Sequence, residues 1–192
     1  MLKELAAAVQ GQINKNREEV GREKRRITFV KAGEKKEENK RTQKETFLSS
    51  AKDWKMTVDL GEKLKIPESI VITDLRPDLI VVSKETKQMA IIELTVPTED
   101  RIEIAGELKQ AKYEVLISEG KKSGWRVRCW AVEVGCRGFP AVSMSRLLKD
   151  LGVAGRERRQ VIEKLGRIAE EASRSLWKAS HHKSWGGKMN TR

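Results

Sequence analysis

Two short runs constrain the fold most. Pro77 opens Asp78-Leu-Ile-Val-Val-Ser83, and Met89-Ala-Ile-Ile-Glu-Leu-Thr-Val96 is closed by Pro97. Both are rich in β-branched residues, and the first is too short for a helix, so each reads as a strand. Runs this continuously apolar belong to strands buried by what packs around them. The polar segment Ser83–Lys87 between them reads as a turn.

The rest of the chain supplies further elements. Leu2–Val20 places Leu2, Leu5, Ala6, Val9 and Ile13 at helical spacing. Ile27–Val30 is a short strand candidate, and Gly33–Lys44 reads as a solvated linker. Thr42–Asp53 reads as a helix. Trp54–Leu60 alternates Trp54, Met56, Val58 and Leu60 with polar residues, the period of a half-buried strand. Ile70–Ile72 is a brief extended piece. Thr98 is placed as the N-cap of a helix whose apolar stripe is Ile104, Leu108, Ala111 and Val115. Trp125–Val134 is a fourth strand, and Ser143–Leu151 and Arg156–Trp177 are helices. Three strands, a helix and a strand, with helices at both ends, make an α/β fold with a mixed central sheet flanked by helices. The expected organisation is a basic N-terminal helix and linker over 1–41, a core over 42–179 and a flexible tail over 180–192.

Charge then narrows the partner. The 192 residues carry a net charge of +12, unevenly spread. Residues 1–52 are net +6, residues 53–120 net −5 and residues 121–192 net +11. A basic chain points to a polyanion, nucleic acid first. An acidic centre between basic flanks fits carboxylates that hold a divalent cation beside a phosphate-binding surface. No run approaches a membrane span and no secretory signal is visible. Cys129 and Cys136 make no disulfide framework and no zinc spacing, so a reducing, intracellular compartment is expected.

Each of the two apolar strands carries one carboxylate, Asp78 and Glu93. A charge inside an apolar strand is costly unless it is paired or binds metal. If the strands are neighbours, the two acids can converge on one cation, and hard oxygen ligands suit Mg²⁺ or Mn²⁺. An ion pair, for instance Glu93 with Arg76, would also account for the buried charge.

Pro77-Asp78, fourteen residues, then Glu93-Leu94-Thr95 resembles the PD-(D/E)XK nuclease superfamily, the restriction-endonuclease-like fold. The strings Arg76–Ser83, Ile92–Pro97, Lys109-Gln-Ala-Lys-Tyr113 and Val132–Gly138 are similar to a module at the C-terminal end of reverse-transcriptase-bearing retroelement reading frames in animals. The resemblance covers roughly residues 53–177. It implies a restriction-endonuclease-like core and a Mg²⁺- or Mn²⁺-dependent endonuclease that cleaves DNA phosphodiester bonds. An adjacent reverse transcriptase and a nuclear location go with it. Asp78 and Glu93 would be catalytic and bind the metal, with the Leu94 carbonyl as a third ligand.

The superfamily places a lysine two residues after the acid, where this chain has Thr95. Some members supply the lysine from the next helix, and Lys109 and Lys112 stand three residues apart on one side of it. Asp59 and Glu45 are candidate additional acids, and Tyr113 is placed over the site or at the core edge. Arg126, Arg128, Arg137, Arg156, Arg158 and Arg159 are candidate nucleic-acid contacts. The departure at Thr95 keeps a second reading open, a catalytically silent nucleic-acid-binding or docking module on the same fold.

Overall fold

The computed structural model describes residues 1–21, 46–61 and 64–181. The strand candidate Ile27–Val30, the linker Gly33–Lys44, the candidate acid Glu45 and tail residues 182–192 lie outside that description. In chain order the elements are α1 (Leu2–Gly21), β1 (Lys55–Val58), β2 (Leu79–Ser83), β3 (Gln88–Thr95), α2 (Ile102–Lys122), β4 (Arg126–Glu133), α3 (Val142–Leu151) and α4 (Gly155–Ser180). Single 3₁₀ turns sit at Phe47–Ser50 and Glu99–Arg101. Among the described residues no helix is long and apolar enough to cross a membrane.

The sheet runs in the order β1-β2-β3-β4. β1, β2 and β3 are antiparallel neighbours, while β3 and β4 are parallel and are joined through α2. A parallel pair cannot be closed by a tight turn, so a crossover connection is required, and α2 supplies it. The chain is thus α/β, with a mixed four-stranded sheet flanked by helices. The β2–β3 hairpin turn is held by Asp53, whose carboxylate accepts from the Ser83 hydroxyl and from the N–H groups of Lys84 (2.8 Å) and Glu85 (3.1 Å).

Each face of the sheet has its own core. On one face Leu79, Val81, Ala90, Ile92 and Val132 pack with α1, α3 and α4. On the other, Ile80, Met89, Ile91 and Val127 pack with Tyr113 and Leu116 of α2 and with Leu64, Ile66, Ile70 and Val71 of the segment before β2. Helix α1 packs on the first face, through the buried Leu5, Val9 and Ile13. Each such side chain contributes about 1.5–3 kcal/mol when fully buried, so α1 is integral to the fold.

Three expectations change. The helix expected over 42–53 is, in its described part, only the 3₁₀ turn Phe47–Ser50. Here the hydroxyls of Ser49 and Ser50 donate back to the carbonyls of Thr46 and Phe47 and compete with helical bonding. Of the extended piece expected over Ile70–Ile72, Ile70 ends a turn over residues 68–70 and residues 71–72 belong to no strand, and Ile70 and Val71 plug the second core. The stripe Ile104, Leu108 and Val115 faces solvent, at 56%, 67% and 67% exposure, and the buried side of α2 carries Tyr113, Leu116 and Gly120.

The loop after β4 is fixed by a close approach. Gly138 has φ +87° and its carbonyl lies 2.5 Å from where a Cβ on Gly166 would stand. Neither position accommodates a side chain, so the loop Gly135–Gly138 seats directly on α4.

Candidate metal and nucleic-acid site

Asp78 immediately precedes β2, and Glu93 lies opposite it near the end of β3, because Leu79 pairs with Ile92. The two acids are locked reciprocally. The Asp78 N–H donates to Glu93 Oε2 at 3.3 Å, and the Leu94 N–H donates to Asp78 Oδ2 at 2.7 Å. In a strand the N–H and C=O of one residue point to the same side, so the Leu94 carbonyl points to the same edge of β3 as its N–H.

Helix α2 closes over this pair. It returns antiparallel to β3, and positions 109, 112 and 113 share one side of it. Lys109 Nζ meets Glu93 Oε1 at 2.5 Å, and Lys112 Nζ reaches the same oxygen at 3.4 Å. The Tyr113 hydroxyl donates to Oε2 at 2.8 Å from a fully buried ring. Glu93, only 3% exposed, is therefore a buried carboxylate with every oxygen engaged, which is what makes its burial tolerable.

The two acids have opposite electrostatics. Burial pushes the Glu93 carboxyl up, but the hydrogen bonds from Lys109 and Tyr113 and the charges of both lysines outweigh it and hold it below the usual carboxylate range. Burial pushes Asp78 up, and the nearby Glu93 charge adds to that. The Leu94 N–H and the two lysines oppose it without cancelling it. Burial and the Glu93 charge raise the Tyr113 phenol, so it stays a donor, and burial pushes the Cys129 thiol up to about 12. Cys129 is thus no nucleophile at neutral pH.

Two carboxylates and a backbone carbonyl on adjacent strand ends are hard-oxygen donors of the kind that Mg²⁺ takes. Among the described residues no third His, Cys, Asp or Glu joins them. Asp59 does not. Its backbone N–H donates to the Asp78 carbonyl at 2.8 Å, but its carboxylate accepts from Gly61 (2.9 Å) and Leu64 (3.3 Å) and caps its own turn. Arg76 is exposed and makes no ion pair with Glu93 among the described residues.

The candidate nucleic-acid arginines are divided. Arg126 and Arg128 lie on the opposite face of the sheet from Glu93. Arg128 stands 5.9 Å from the centre of the Phe47 ring and 6.0 Å from that of Trp130. Arg156, Arg158 and Arg159 start α4, which packs on that same face. Arg137 alone lies at the strand ends beside α2, where its N–H donates to Glu99 at 2.7 Å. One continuous cradle around Asp78 and Glu93 is not formed by these six residues.

Glu133 was not singled out by the sequence. Glu133 is 4% exposed and sits across the β3–β4 pair from Thr95. Its Oε2 accepts from the Ser143 hydroxyl, while Oε1 and the buried Thr95 Oγ1 have no partner among the described residues. A Cβ at Gly106 would stand 2.9 Å from Glu133 Oε1, so that glycine makes room for the carboxylate under α2. The signal was available: Glu133 is a charge within Trp-Ala-Val-Glu-Val, the same anomaly that marked Glu93.

No protein-family model matches the chain. No curated protein matches it either.

Proposed function

We propose that the chain is a metal-dependent endonuclease domain that hydrolyses DNA phosphodiester bonds, on a restriction-endonuclease-like core. The observation that supports it best is the Asp78–Glu93 pair, held across two strands with a lysine ammonium from the next helix on Glu93. The resemblance asks for two acids and a lysine, and Lys109 is the ammonium that Thr95 cannot be. A retroelement setting, an adjacent reverse transcriptase and a nuclear location belong to the same proposal and rest on the sequence strings.

Asp78, Glu93 and the Leu94 carbonyl would hold Mg²⁺ or Mn²⁺, which when bound polarises the scissile phosphate and makes a water easier to ionise. The remaining work belongs to the chain. Tyr113 and the Asp78 N–H fix the orientation of Glu93. Lys109 and Lys112 offer ammonium groups to the negative charge that grows on the phosphate oxygens. Water adds to phosphorus and gives up a proton to solvent, the ester P–O bond breaks, and the leaving oxygen takes a proton from solvent.

A second reading is favoured by the separation of the arginines from the acids: a nucleic-acid-binding module that does not cut. Nicking of supercoiled plasmid with Mg²⁺ or Mn²⁺ separates the two. Cleavage by the wild type that disappears in Asp78→Ala supports the nuclease, and equal cleavage by both removes it. Salt-sensitive DNA binding without cleavage supports the second reading.

A further inference from the structure

Glu93 already has a cation. Its Oε1 is shared by the ammonium groups of Lys109 and Lys112, whose side chains are 32% and 36% exposed, while its Oε2 is held by the buried Tyr113 and the Asp78 N–H. One side of the carboxylate is thus fixed by rigid, buried donors. The other is covered by two flexible, half-exposed ones.

We infer that Lys109 and Lys112 are tethered counter-ions that a metal must displace from Glu93 Oε1, so that metal and nucleic acid load the site together. This deepens the endonuclease reading and rests on it. A divalent cation approaching Oε1 meets two positive charges at hydrogen-bond range, and like charges in a partly desolvated site repel strongly. The metal therefore binds weakly while the lysines stay. A phosphate backbone offers those ammonium groups another partner, and their four-carbon stems let them turn toward it. Where it now stands, the Lys112 ammonium also lies 4.9 Å from the centre of the Tyr113 ring, whose face can keep attracting it when Oε1 is taken by a metal. Once the lysines move to phosphate, Oε1 is free for the cation and the ammonium groups stand where charge develops. Glu93 does not have to rotate, because Tyr113 keeps it in place. By linkage, metal must then tighten DNA binding by the same factor that DNA tightens metal binding.

Removing an ammonium should therefore improve metal binding while it damages catalysis, the reverse of what a purely structural lysine would do. The test measures Mn²⁺ binding to the full chain by electron paramagnetic resonance, with and without a short phosphorothioate duplex, for wild type, Lys109→Met, Lys112→Met, Lys109→Arg and Glu93→Gln. Without DNA, Lys109→Met is expected to bind Mn²⁺ about tenfold more tightly than wild type, Lys112→Met a few-fold more tightly, and Lys109→Arg like wild type. The duplex is expected to tighten wild-type binding and to add little in Lys109→Met. Mn²⁺ affinity in Lys109→Met equal to or weaker than wild type overturns the inference. If the wild type still nicks plasmid while Glu93→Gln does not, the endonuclease reading survives that failure. If Glu93→Gln binds Mn²⁺ as the wild type does, and none of the proteins nicks, both fall together.

Discussion

Thr95 and Glu133 are cross-strand neighbours on the α2 side of the sheet, and each keeps one side-chain oxygen without a partner among the described residues. A buried carboxylate oxygen with no donor is expensive. Thr95 takes the position where the resemblance expects a lysine, so the carboxylate beside it lacks the cation that such a lysine would bring.

Glu133→Gln should therefore stabilise the protein. The amide can still accept from Ser143, and its NH₂ offers a donor where Oε1 now has no partner among the described residues. The expected gain is about 1 kcal/mol, the worth of one net hydrogen bond, read as a higher urea midpoint at unchanged slope. A lower midpoint would show that the carboxylate is satisfied in some other way.

The two lysines should not be equivalent in cleavage. Lys109 contacts Glu93 at 2.5 Å and Lys112 at 3.4 Å. Lys109→Met is expected to lower the plasmid nicking rate by about a hundredfold or more, within the range for losing one charge-stabilising donor. Lys112→Met should cost about tenfold, since it leaves that closer donor in place. Equal losses, or a larger loss at Lys112, would reverse the assignment.

The strands and the acid pair were legible because burial leaves a plain signature: β-branched runs broken by a single charge. Asp78 and Glu93 stood out for that reason, while the adjacency of their strands stayed a condition that the pairing of β2 with β3 now meets. Helix α2 departs from its apolar periodicity for a related cause. Its stripe of Ile104, Leu108, Ala111 and Val115 has the right period, but the side of the helix above the acids must carry Lys109, Lys112 and Tyr113. A helix that lids a polar site buries amphipathic side chains, and a period count credits the aliphatic side instead. The separation of the arginines was not legible, because which side of β4 faces α2 depends on pairing with β3.

Leu108→Lys follows from that correction. Leu108 is 67% exposed on the outer side of α2, so the change should move stability by no more than about 0.5 kcal/mol, as for an ordinary surface position. Leu116→Lys, on the buried side of the same helix at 2% exposure, should prevent folding or cost several kcal/mol, on the order expected for an unpaired buried charge. Thermal unfolding of the two variants distinguishes the two sides of the helix. Similar losses in both would return the stripe to the core.

Tyr113→Phe isolates one bond on Glu93. The ring volume is kept, and the only donor lost is the hydroxyl that reaches Oε2 at 2.8 Å. A hydrogen bond to a charged group contributes about 1.5–3 kcal/mol, so the urea midpoint should fall by an amount in that range. Cleavage should fall as well, since Glu93 is then held on that side only by the Asp78 N–H. An unchanged midpoint would mean that water replaces the hydroxyl.

The two acids should give opposite acid responses. Glu93 is held below its ordinary value by Lys109, Tyr113 and Lys112 acting against burial. Its contribution to stability is therefore complete above the unfolded-state value of about 4.3 and is lost as pH falls through the lower folded-state value. Asp78 is raised, chiefly by burial. The folded state then binds its proton more readily than the unfolded state, so Asp78 costs stability at neutral pH and the cost is relieved as pH falls through its folded value. Asp78→Asn removes that cost and keeps an acceptor for the Leu94 N–H, so the variant should be more stable than wild type at pH 7 and lose the advantage below about pH 4. Glu93→Gln should be less stable at pH 7, with the gap narrowing in acid. Urea midpoints from pH 3 to pH 7 for the three proteins check both signs. A destabilised Asp78→Asn at pH 7 would show that the charge on Asp78 is itself stabilising.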